Sequence, residues 1–418
     1  MRRLLPLCVL LLHAGTLIVA LWQRSYLWED SVQYLTLAEN LQTHGVYSQD
    51  YLPPLTADTQ RPPAYALLLI ALGRLPWLIL LVQHLLVLHT AWLLYGVLRR
   101  SHRGVARLAG WGYALMPYPA LFASTLLTES LFIWCIVASW HLLASRRWGL
   151  SGLALGLALL TKELAWVLLP LWLGYLLAQR AKAPAYLELL GAVLVLYAPW
   201  YLYCARQPET GGINLVYGKL GGMLGPYTDD RALVFRTDST LVAAGIPLQK
   251  IRQYGQQASQ PQTRIAETAR HYAWQYGLTH PLGVVRFHLR SMYQMATGIG
   301  YGTALRLLEW PPAAWLLAGL QACLSLLLAL GSLGFLYWNL RRWPRYGPAQ
   351  PGRAAASHAW LGLLAALVLL LAHAAAWADG RYRMPADAMA MAAAAAGLGK
   401  LTGANKTTPV SKDVEADA

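Results

Sequence analysis

Repeated apolar segments, most of them long enough to cross a bilayer, constrain this chain more than any other feature. A transmembrane helix needs about 20 predominantly apolar residues. We predict ten such helices, near 4–22, 77–98, 105–126, 130–145, 149–161, 164–179, 186–203, 312–340, 357–378 and 384–399. Only 13% of the residues are charged, against about 25% in soluble domains. The sequence therefore predicts an all-α polytopic membrane protein.

Polar stretches between the apolar segments divide the chain. Residues 1–203 are predicted as an N-terminal transmembrane module, with an external loop at 23–76. Residues 204–308 are rich in Gly, Gln, Arg and Tyr, which indicates an external loop region, and 309–400 carry the C-terminal helices. Residues 401–418 are polar and are predicted to be a disordered cytoplasmic tail.

The basic residues of the short loops predict the orientation. Lys and Arg are enriched in cytoplasmic loops, and one side of the predicted topology carries Arg2, Arg3, Arg99, Arg100, Arg103, Arg146, Arg147, Arg180, Lys182, Arg341, Arg342 and Arg345. Most of the acidic residues fall on the other side. We therefore predict a multi-pass protein of the cell (inner) membrane whose carboxylates face the non-cytoplasmic side.

The net charge of +15 does not indicate nucleic-acid binding, because no Lys/Arg cluster is interleaved with aromatic residues on a soluble module. Four scattered cysteines form no C-x-x-C pair, and no H-E-x-x-H spacing is present. The sequence therefore predicts neither a disulfide framework nor a dedicated metal site.

Two acids, Glu29 and Asp30, directly follow the first apolar segment. Acids at the mouth of a membrane helix are costly unless they face water or a partner. A solvated helix start is the plain alternative, because acids are favoured near the positive end of the helix dipole. An apolar stripe at helical spacing follows, and the short apolar segment 62–75 begins with two prolines. We predict interfacial helices in this external loop.

A second acid, Glu129, lies between two predicted spans on the same side as Asp30. It is either part of a capped turn or, with Asp30, part of a general-base and orienting-carboxylate pair. Lys162 interrupts an apolar stretch at another outer turn. Its ammonium suits phosphate oxygens, although a lysine that snorkels to the headgroups is the alternative.

Three further cations are unusual because they lie on the predicted outer side, namely Arg61, Arg381 and Arg383. The positive-inside trend disfavours arginines there. We therefore predict that they bind an anion.

Together these segments resemble the C-type membrane glycosyltransferases, in particular the dolichyl-phosphate-mannose protein mannosyltransferases and the bacterial enzymes that add aminoarabinose to lipid A. The matching segments, in chain order, are Asp30…Tyr34…Ala38…Gly45, Arg61-Pro62-Pro63-Ala64-Tyr65, Thr128-Glu129, Thr161-Lys162, Pro199-Trp200, Gly211-Gly212-Ile213-Asn214-Leu215 and Arg381-Tyr382-Arg383-Met384-Pro385. The resemblance extends over residues 20–400. Glu129 stands where many relatives have Asp.

The resemblance implies a C-type glycosyltransferase fold and inverting transfer of a sugar from a polyprenyl-phosphate donor to a glycan, lipid or protein acceptor. It implies Asp30 as the general base, with Glu129 orienting the acceptor or supporting Asp30 and with Glu29 as a further catalytic candidate. The implied phosphate ligands are Lys162, Arg383, Arg381 and Arg61, and the implied substrate contacts are Tyr65 and Tyr382. Some members of the superfamily use a divalent metal at the acidic pair, whereas mannosyltransferase-like members need none, so we expect no cofactor and do not favour a metal. Membrane lipids are expected partners, whereas nucleic acid is not.

Two other functions remain open from the sequence. A lipid-linked sugar flippase or transporter would show ionisable groups near the bilayer midplane and internal repeats, and we find no repeat. A non-catalytic membrane protein of polysaccharide assembly is the third possibility. The sugar, the acceptor and the linkage are not specified by the sequence.

Overall fold

The computed structural model describes residues 4–51, 53–55, 57–59, 61–99, 103–207, 278, 281–282, 311–342, 353–376 and 384–401. Every regular element in this part of the chain is helical. In chain order the elements are α1 (Leu4–Gln23), α2 (Glu29–His44), α3 (Ala64–Ala71), α4 (Pro76–Leu98), α5 (Arg103–Ala114), α6 (Pro117–Ala123), α7 (Glu129–Ala144), α8 (Trp148–Leu159), a 3-10 helix (Glu163–Leu168), α9 (Leu169–Ala178), α10 (Ala183–Ala205), α11 (Pro311–Arg342), α12 (Arg353–Ala376) and α13 (Met384–Leu401).

Four of the described helices are long and apolar enough to cross a membrane, over Leu4–Gln23, Pro76–Leu98, Ala183–Ala205 and Pro312–Trp338. Shorter apolar helices occupy Glu129–Ala144, Trp148–Leu159, Glu163–Ala178, His358–Leu371 and Met384–Leu398. The prediction of a helical membrane protein is confirmed. The count of about ten spans stays a prediction, as does the division into regions. The predicted loop region 204–308 and tail 401–418 lie almost wholly outside the described residues.

The continuous span predicted at 105–126 is wrong. The chain forms α5 and the short helix α6 instead, with Met116 in an extended conformation (ψ 126°) between them. Pro117 has no N–H to continue α5, and a proline disfavours helical backbone at the residue before it. All seven residues of α6 are buried, so this break lies inside the bundle.

The segment 23–76 contains two helices, as the sequence predicts. The apolar stripe of α2 is buried, with Tyr34, Leu37 and Ala38 each no more than 5% exposed, and α2 packs against α3. Gly45 ends α2 in the left-handed region (φ 68°), where a residue without Cβ is favoured. The interfacial position of these helices stays a prediction.

Close backbone packing holds the bundle together. The alanine-rich helix α13 packs against α11, α12, α5 and α7, and α8 packs between α7 and α10. At four contacts a glycine lies so near a neighbouring carbonyl group that an added Cβ would overlap it: Gly331 against Ala394, Gly397 against Gly331, Gly362 against Met389 and Gly152 against Leu189. Small residues of this kind let membrane helices approach closely.

Two backbone hydrogen bonds join the segments that connect helices at one end of the bundle. The N–H of Leu126, after α6, donates to the carbonyl oxygen of Tyr26, after α1, at 3.0 Å. The N–H of Ala64, at the start of α3, donates to the carbonyl oxygen of Leu160, after α8, at 2.9 Å. The predicted acidic and basic site residues of the first 170 positions lie on these connections or directly beside them.

Candidate active site

The first ion pair of the site joins Asp30 and Arg61. Nη2 of Arg61 lies 2.8 Å from Oδ1 of Asp30, and the same nitrogen donates to Oε1 of Gln33. The guanidinium carbon lies 4.7 Å from the ring centroid of Tyr34, within cation–π range. Asp30, Gln33 and Tyr34 share one face of α2 because they are three and four residues apart. One face of α2 therefore supplies all three of these contacts to the side chain of Arg61.

The loop between α2 and α3 fixes the backbone of Arg61. Its N–H donates to Oδ1 of Asp58 at 3.1 Å, while its carbonyl oxygen accepts the hydroxyl of Tyr47 at 2.8 Å. Gln49 donates to the other oxygen of Asp58. Burial raises the pKa of Tyr47, so its hydroxyl is a donor at neutral pH. Both backbone groups of Arg61 are thus held by side chains.

The second ion pair joins Glu129 and Lys162. Nζ of Lys162 lies 2.9 Å from Oε1 of Glu129, whose side chain is only 4% exposed. Nζ also lies 5.9 Å from the ring centroid of Phe132, one turn along α7. Glu129 is in the first turn of α7, where the helix dipole favours an acid. A carboxylate this deeply buried needs a paired charge, and Lys162, directly before the 3-10 helix, supplies it.

A chain of polar and aromatic contacts links the two pairs. The rings of Tyr34 and Tyr65 meet edge to face, with centroids 5.1 Å apart. The hydroxyl of Tyr65 donates to Oε1 of Gln83 at 2.8 Å. The amide nitrogen of Gln83 donates to the carbonyl oxygens of Ala123 and Thr125 at 2.9 and 2.6 Å. Gln83 on α4 therefore connects α3, which carries Tyr65, to the segment between α6 and α7.

Glu163, the neighbour of Lys162, faces α10. Its Oε1 accepts the hydroxyl of Tyr197 at 2.9 Å and the indole N–H of Trp200 at 3.3 Å. The ring of Trp200 meets that of Tyr47 edge to face at 5.8 Å. The two charged residues after α8 thus contact different helices: Lys162 contacts α7, and Glu163 contacts α10.

The structure brings together the predicted site residues Asp30, Arg61, Glu129, Lys162 and Tyr65. The side chain of Glu29 and all of Arg381, Tyr382 and Arg383 lie outside the described residues. The chemical roles of all nine stay predictions. Tyr65 is fully buried and reaches the first ion pair only through the ring of Tyr34, so its direct contact with a substrate stays a prediction as well.

Several site residues were missed from the sequence. Gln33 and Tyr34 follow Asp30 at helical spacing, so the face of α2 was the signal that would have revealed them. Gln83 was visible as a lone amide in an apolar helix, where an unpaired polar group is costly. Nothing in the spacing of Asp58 or Glu163 predicts their partners.

Within the described residues, no three His, Cys, Asp or Glu side chains are grouped so as to hold a metal ion. Asp30 and Glu129 each bind a cationic side chain instead of sharing one centre. These residues do not fit a metal held between the two acids, and the expectation of a reaction without a cofactor stays a prediction.

Comparison with known proteins gives a likeness of fold. No family model matches the chain, and no curated protein matches it by sequence. The apo oligosaccharyltransferase of Archaeoglobus fulgidus superposes with a TM-score of 0.50 and 14% identity, over 96% of this chain and 50% of that one. The chain thus spans half the length of that structure.

ArnT from Cupriavidus metallidurans also matches over 96% of this chain. Bound to undecaprenyl phosphate it gives a TM-score of 0.35 over 81% of its length, and in the apo state 0.36 over 80%, each at 17% identity. The oligosaccharyltransferase and ArnT are both C-type glycosyltransferases. The likeness to the oligosaccharyltransferase is one of fold alone, and it agrees with the fold that the resemblance in the sequence implies.

Proposed function

We propose that this chain is an inverting membrane glycosyltransferase. It moves a sugar from a polyprenyl-phosphate donor to a hydroxyl group of a glycan, lipid or protein on the non-cytoplasmic side of the cell (inner) membrane. The observation that carries the proposal is that two acid–cation pairs lie at one end of an apolar helical bundle and are connected through Tyr34, Tyr65 and Gln83. This arrangement supports a candidate base and candidate phosphate ligands in one site.

Asp30 acts as the general base in this proposal. The acceptor hydroxyl transfers its proton to the carboxylate while its oxygen bonds to the anomeric carbon of the donor. The bond between that carbon and the phosphate oxygen breaks, and its electron pair leaves with the polyprenyl phosphate. Attack opposite the leaving group inverts the configuration. The side chain of Asp30 is 28% exposed, which leaves room for an acceptor to approach.

Cations stabilise the leaving phosphate in this proposal. Lys162 binds it as a compact charge, together with Arg381 and Arg383, because charge-assisted hydrogen bonds to phosphate oxygens are strong. Arg61 has five N–H donors, and its bonds to Asp30 and Gln33 both come from Nη2. It therefore holds the base in position and offers its other nitrogens to the donor.

The remaining acids and tyrosines support these roles. Glu129 orients the acceptor and holds Lys162, while Glu29 adds negative charge beside Asp30. Tyr382 contacts the substrate, and Tyr65 does so or acts through Tyr34. Leucine and valine side chains on α10, such as Leu187 and Val195, are 70% and 72% exposed. A surface of this kind suits contact with lipid chains, including a polyprenyl tail.

The donor is the direct test. We expect purified protein to transfer label from a polyprenyl-phosphate sugar and not from the matching nucleotide sugar. The reason is that the described residues offer outer cations for a lipid monophosphate, and the sequence offers no glycine-rich phosphate loop. Efficient transfer from the nucleotide sugar without a lipid carrier would reject the proposal. Envelope glycans compared by mass spectrometry, with and without the protein, would then identify the acceptor.

The side of the membrane is tested by two exposed residues. Glu39 on α2 and Lys182 before α10 are both exposed, and the proposal places them on opposite faces. In a background without the four native cysteines, a cysteine at 39 is expected to react with an impermeant maleimide from outside. A cysteine at 182 is expected to react only after the membrane is opened. Labelling of both from the same side would contradict the proposed orientation.

One observation favours the alternative of a lipid-linked sugar transporter. His13 and His84 lie within the bundle with their Nδ1 atoms 2.9 Å apart, and Asp387 on α13 is only 7% exposed. Buried ionisable groups between membrane helices often mark transport pathways. Movement of the lipid-linked sugar across reconstituted vesicles, without any transfer to an acceptor, would support this alternative over the enzyme.

A further inference from the structure

Glu163 begins the 3-10 helix and is exposed, yet one of its oxygens is fixed by two aromatic side chains. The hydroxyl of Tyr197 and the indole N–H of Trp200 both donate to Oε1. Two donors on one oxygen leave the carboxylate with the acceptor capacity of Oε2. The carboxylate of Glu163 is exposed and could be hydrated by water alone, yet two side chains hold it in one orientation.

Two further aromatic rings pack against the side chains that hold this carboxylate. Trp166 meets the ring of Tyr197 edge to face at 5.1 Å and is 37% exposed. Trp200 is stacked on Tyr203 at 5.3 Å. Tryptophan and tyrosine are also common where a helix leaves the membrane, which accounts for exposed rings. It does not account for a carboxylate oriented by the polar edges of two rings.

The position of Glu163 connects it to the candidate active site. It follows Lys162 directly in the chain, and Lys162 pairs with Glu129. Its partner Trp200 packs on Tyr47, whose hydroxyl binds the carbonyl oxygen of Arg61. The carboxylate of Glu163 is therefore linked to the second ion pair through its chain neighbour Lys162. It is linked to the first through Trp200 and Tyr47, and it belongs to neither pair.

We propose that Glu163 and Trp166 form a carbohydrate-binding subsite, a proposal that rests on the proposed function. Oε2 of Glu163 accepts hydrogen bonds from the hydroxyl groups of a sugar, and the exposed ring of Trp166 packs against the apolar face of the sugar. The sugar belongs either to the donor or to a glycan acceptor. Both sources offer the same chemistry of ring face and hydroxyl edge.

A quaternary ammonium headgroup is the competing ligand for an acid among aromatic rings. Such cations bind ring faces. Here Tyr197 and Trp200 turn their polar edges to the carboxylate, and the ring of Trp200 is stacked on Tyr203. The arrangement therefore favours a hydroxyl donor over a cation.

Binding is measured without catalysis, using saturation-transfer NMR on the full-length protein in detergent. The probes are methyl α-D-mannopyranoside, methyl β-D-glucopyranoside and methyl β-L-arabinopyranoside, with choline as the competing cation. We expect at least one glycoside to bind saturably, and Glu163→Ala to weaken it about tenfold or more, because a hydrogen bond to a charged group is lost. Glu163→Gln retains the carbonyl acceptor and is expected to fall between the two.

Three further variants accompany Glu163→Ala. Trp166→Ala is expected to weaken glycoside binding, whereas Trp166→Phe retains most of it. Glu39→Gln removes another acid of the same predicted face and is expected to bind as the wild type does. Melting temperatures of all variants show whether the bundle is intact, and Glu163→Gln serves as the test if Glu163→Ala does not fold.

The outcomes separate this proposal from the proposed function. The subsite would be overturned if the wild type bound none of the three glycosides saturably. It would also be overturned if Glu163→Ala and Glu163→Gln bound glycosides as the wild type does, or if these variants lost only the binding of choline. Asp30→Asn is expected to bind glycosides normally while transfer is lost. If glycosides bind through Glu163 but no polyprenyl-phosphate sugar is used, the subsite stands and the glycosyltransferase proposal fails. In the transfer assay, a raised KM for the donor or for the acceptor identifies the source of the sugar.

Discussion

The two ion pairs of the candidate active site are built from different kinds of structure. Asp30 and Arg61 both come from the segment between α1 and α4, and their side chains are 28% and 21% exposed. Glu129 and Lys162 come from the ends of packed helices, and Glu129 is 4% exposed. Arg61 has additional partners in Gln33 and Tyr34, whereas Lys162 additionally lies near one ring, that of Phe132.

This difference separates two tasks of the proposed reaction. Water and an acceptor can reach the first pair, which suits a group that takes up a proton. The second pair is largely withdrawn from water, where charges interact more strongly, which suits a group that holds a charge in a fixed position. In the proposed reaction, the loop pair therefore carries the proton transfer and the helix-end pair holds a charge in position.

Lys162→Ala is expected to produce the largest change in stability. It leaves the carboxylate of Glu129 buried without its cation, which costs about 3–5 kcal/mol of unfolding free energy. Thermal unfolding in detergent measures the loss, and Lys182→Ala, which removes an exposed lysine, is the matched control. Equal melting temperatures for the two variants would contradict the contrast between the pairs.

A double variant separates stability from donor use at the same pair. Glu129→Gln combined with Lys162→Met removes both charges, and replacing a whole buried pair by neutral groups is often close to neutral for stability. We expect the melting temperature to recover most of its loss while use of the polyprenyl-phosphate donor stays impaired. Recovery of both would show that Lys162 has a purely structural role.

Asp30→Asn is expected to lower turnover by about 100-fold or more, because removal of a general base costs two to four orders of magnitude. The fold and the binding of the donor are expected to persist, since the partly exposed pair contributes less to stability than the pair with the buried carboxylate of Glu129. Transfer of labelled sugar measures turnover, with Glu39→Gln as the control. Near-normal turnover in Asp30→Asn would remove the catalytic assignment.

Arg61→Lys is expected to have an intermediate effect. Lysine retains the charge but lacks the planar guanidinium, so it loses the contact of that plane with the ring of Tyr34 and the further N–H donors that the proposal gives to the donor phosphate. We expect turnover to fall about tenfold, the equivalent of one hydrogen bond to a charged group, and the unfolding free energy to change by about 1 kcal/mol or less. A loss of stability as large as that of Lys162→Ala would erase the distinction between the pairs.

Glu29→Gln is expected to have the smallest effect, a change in turnover below about threefold, which is the scale of a surface charge interaction. Glu29 and Asp30 are neighbours in sequence, but the known contact with Arg61 is made by Asp30. The same transfer assay measures both variants. If Glu29→Gln were as damaging as Asp30→Asn, the base would have to be reassigned.

The sequence predicted the helices better than it predicted their partners. Apolar segments specify where helices form, and most of the predicted bounds agree with the structure. The error at 105–126 arose because hydropathy outweighed the prolines at 117 and 119, although Pro117 cannot continue the hydrogen bonds of α5.

The partners of the charged residues were beyond sequence reasoning for a physical reason. Arg61 lies 31 residues from Asp30, and Lys162 lies 33 residues from Glu129. No helical or strand period extends over such separations, so only the packed bundle determines which cation meets which acid. The residues on one face of α2, in contrast, follow from helical spacing alone.

The central position of α13 has a consequence for biosynthesis. It is the last described helix in chain order, yet it packs against α5, α7, α11 and α12. Chains fold from the N-terminus during synthesis, so those four helices face lipid or one another until α13 emerges from the ribosome. A stop codon before Met384 therefore removes the middle of the bundle and not its edge, and such a truncated product is expected to be degraded rather than retained as a smaller protein.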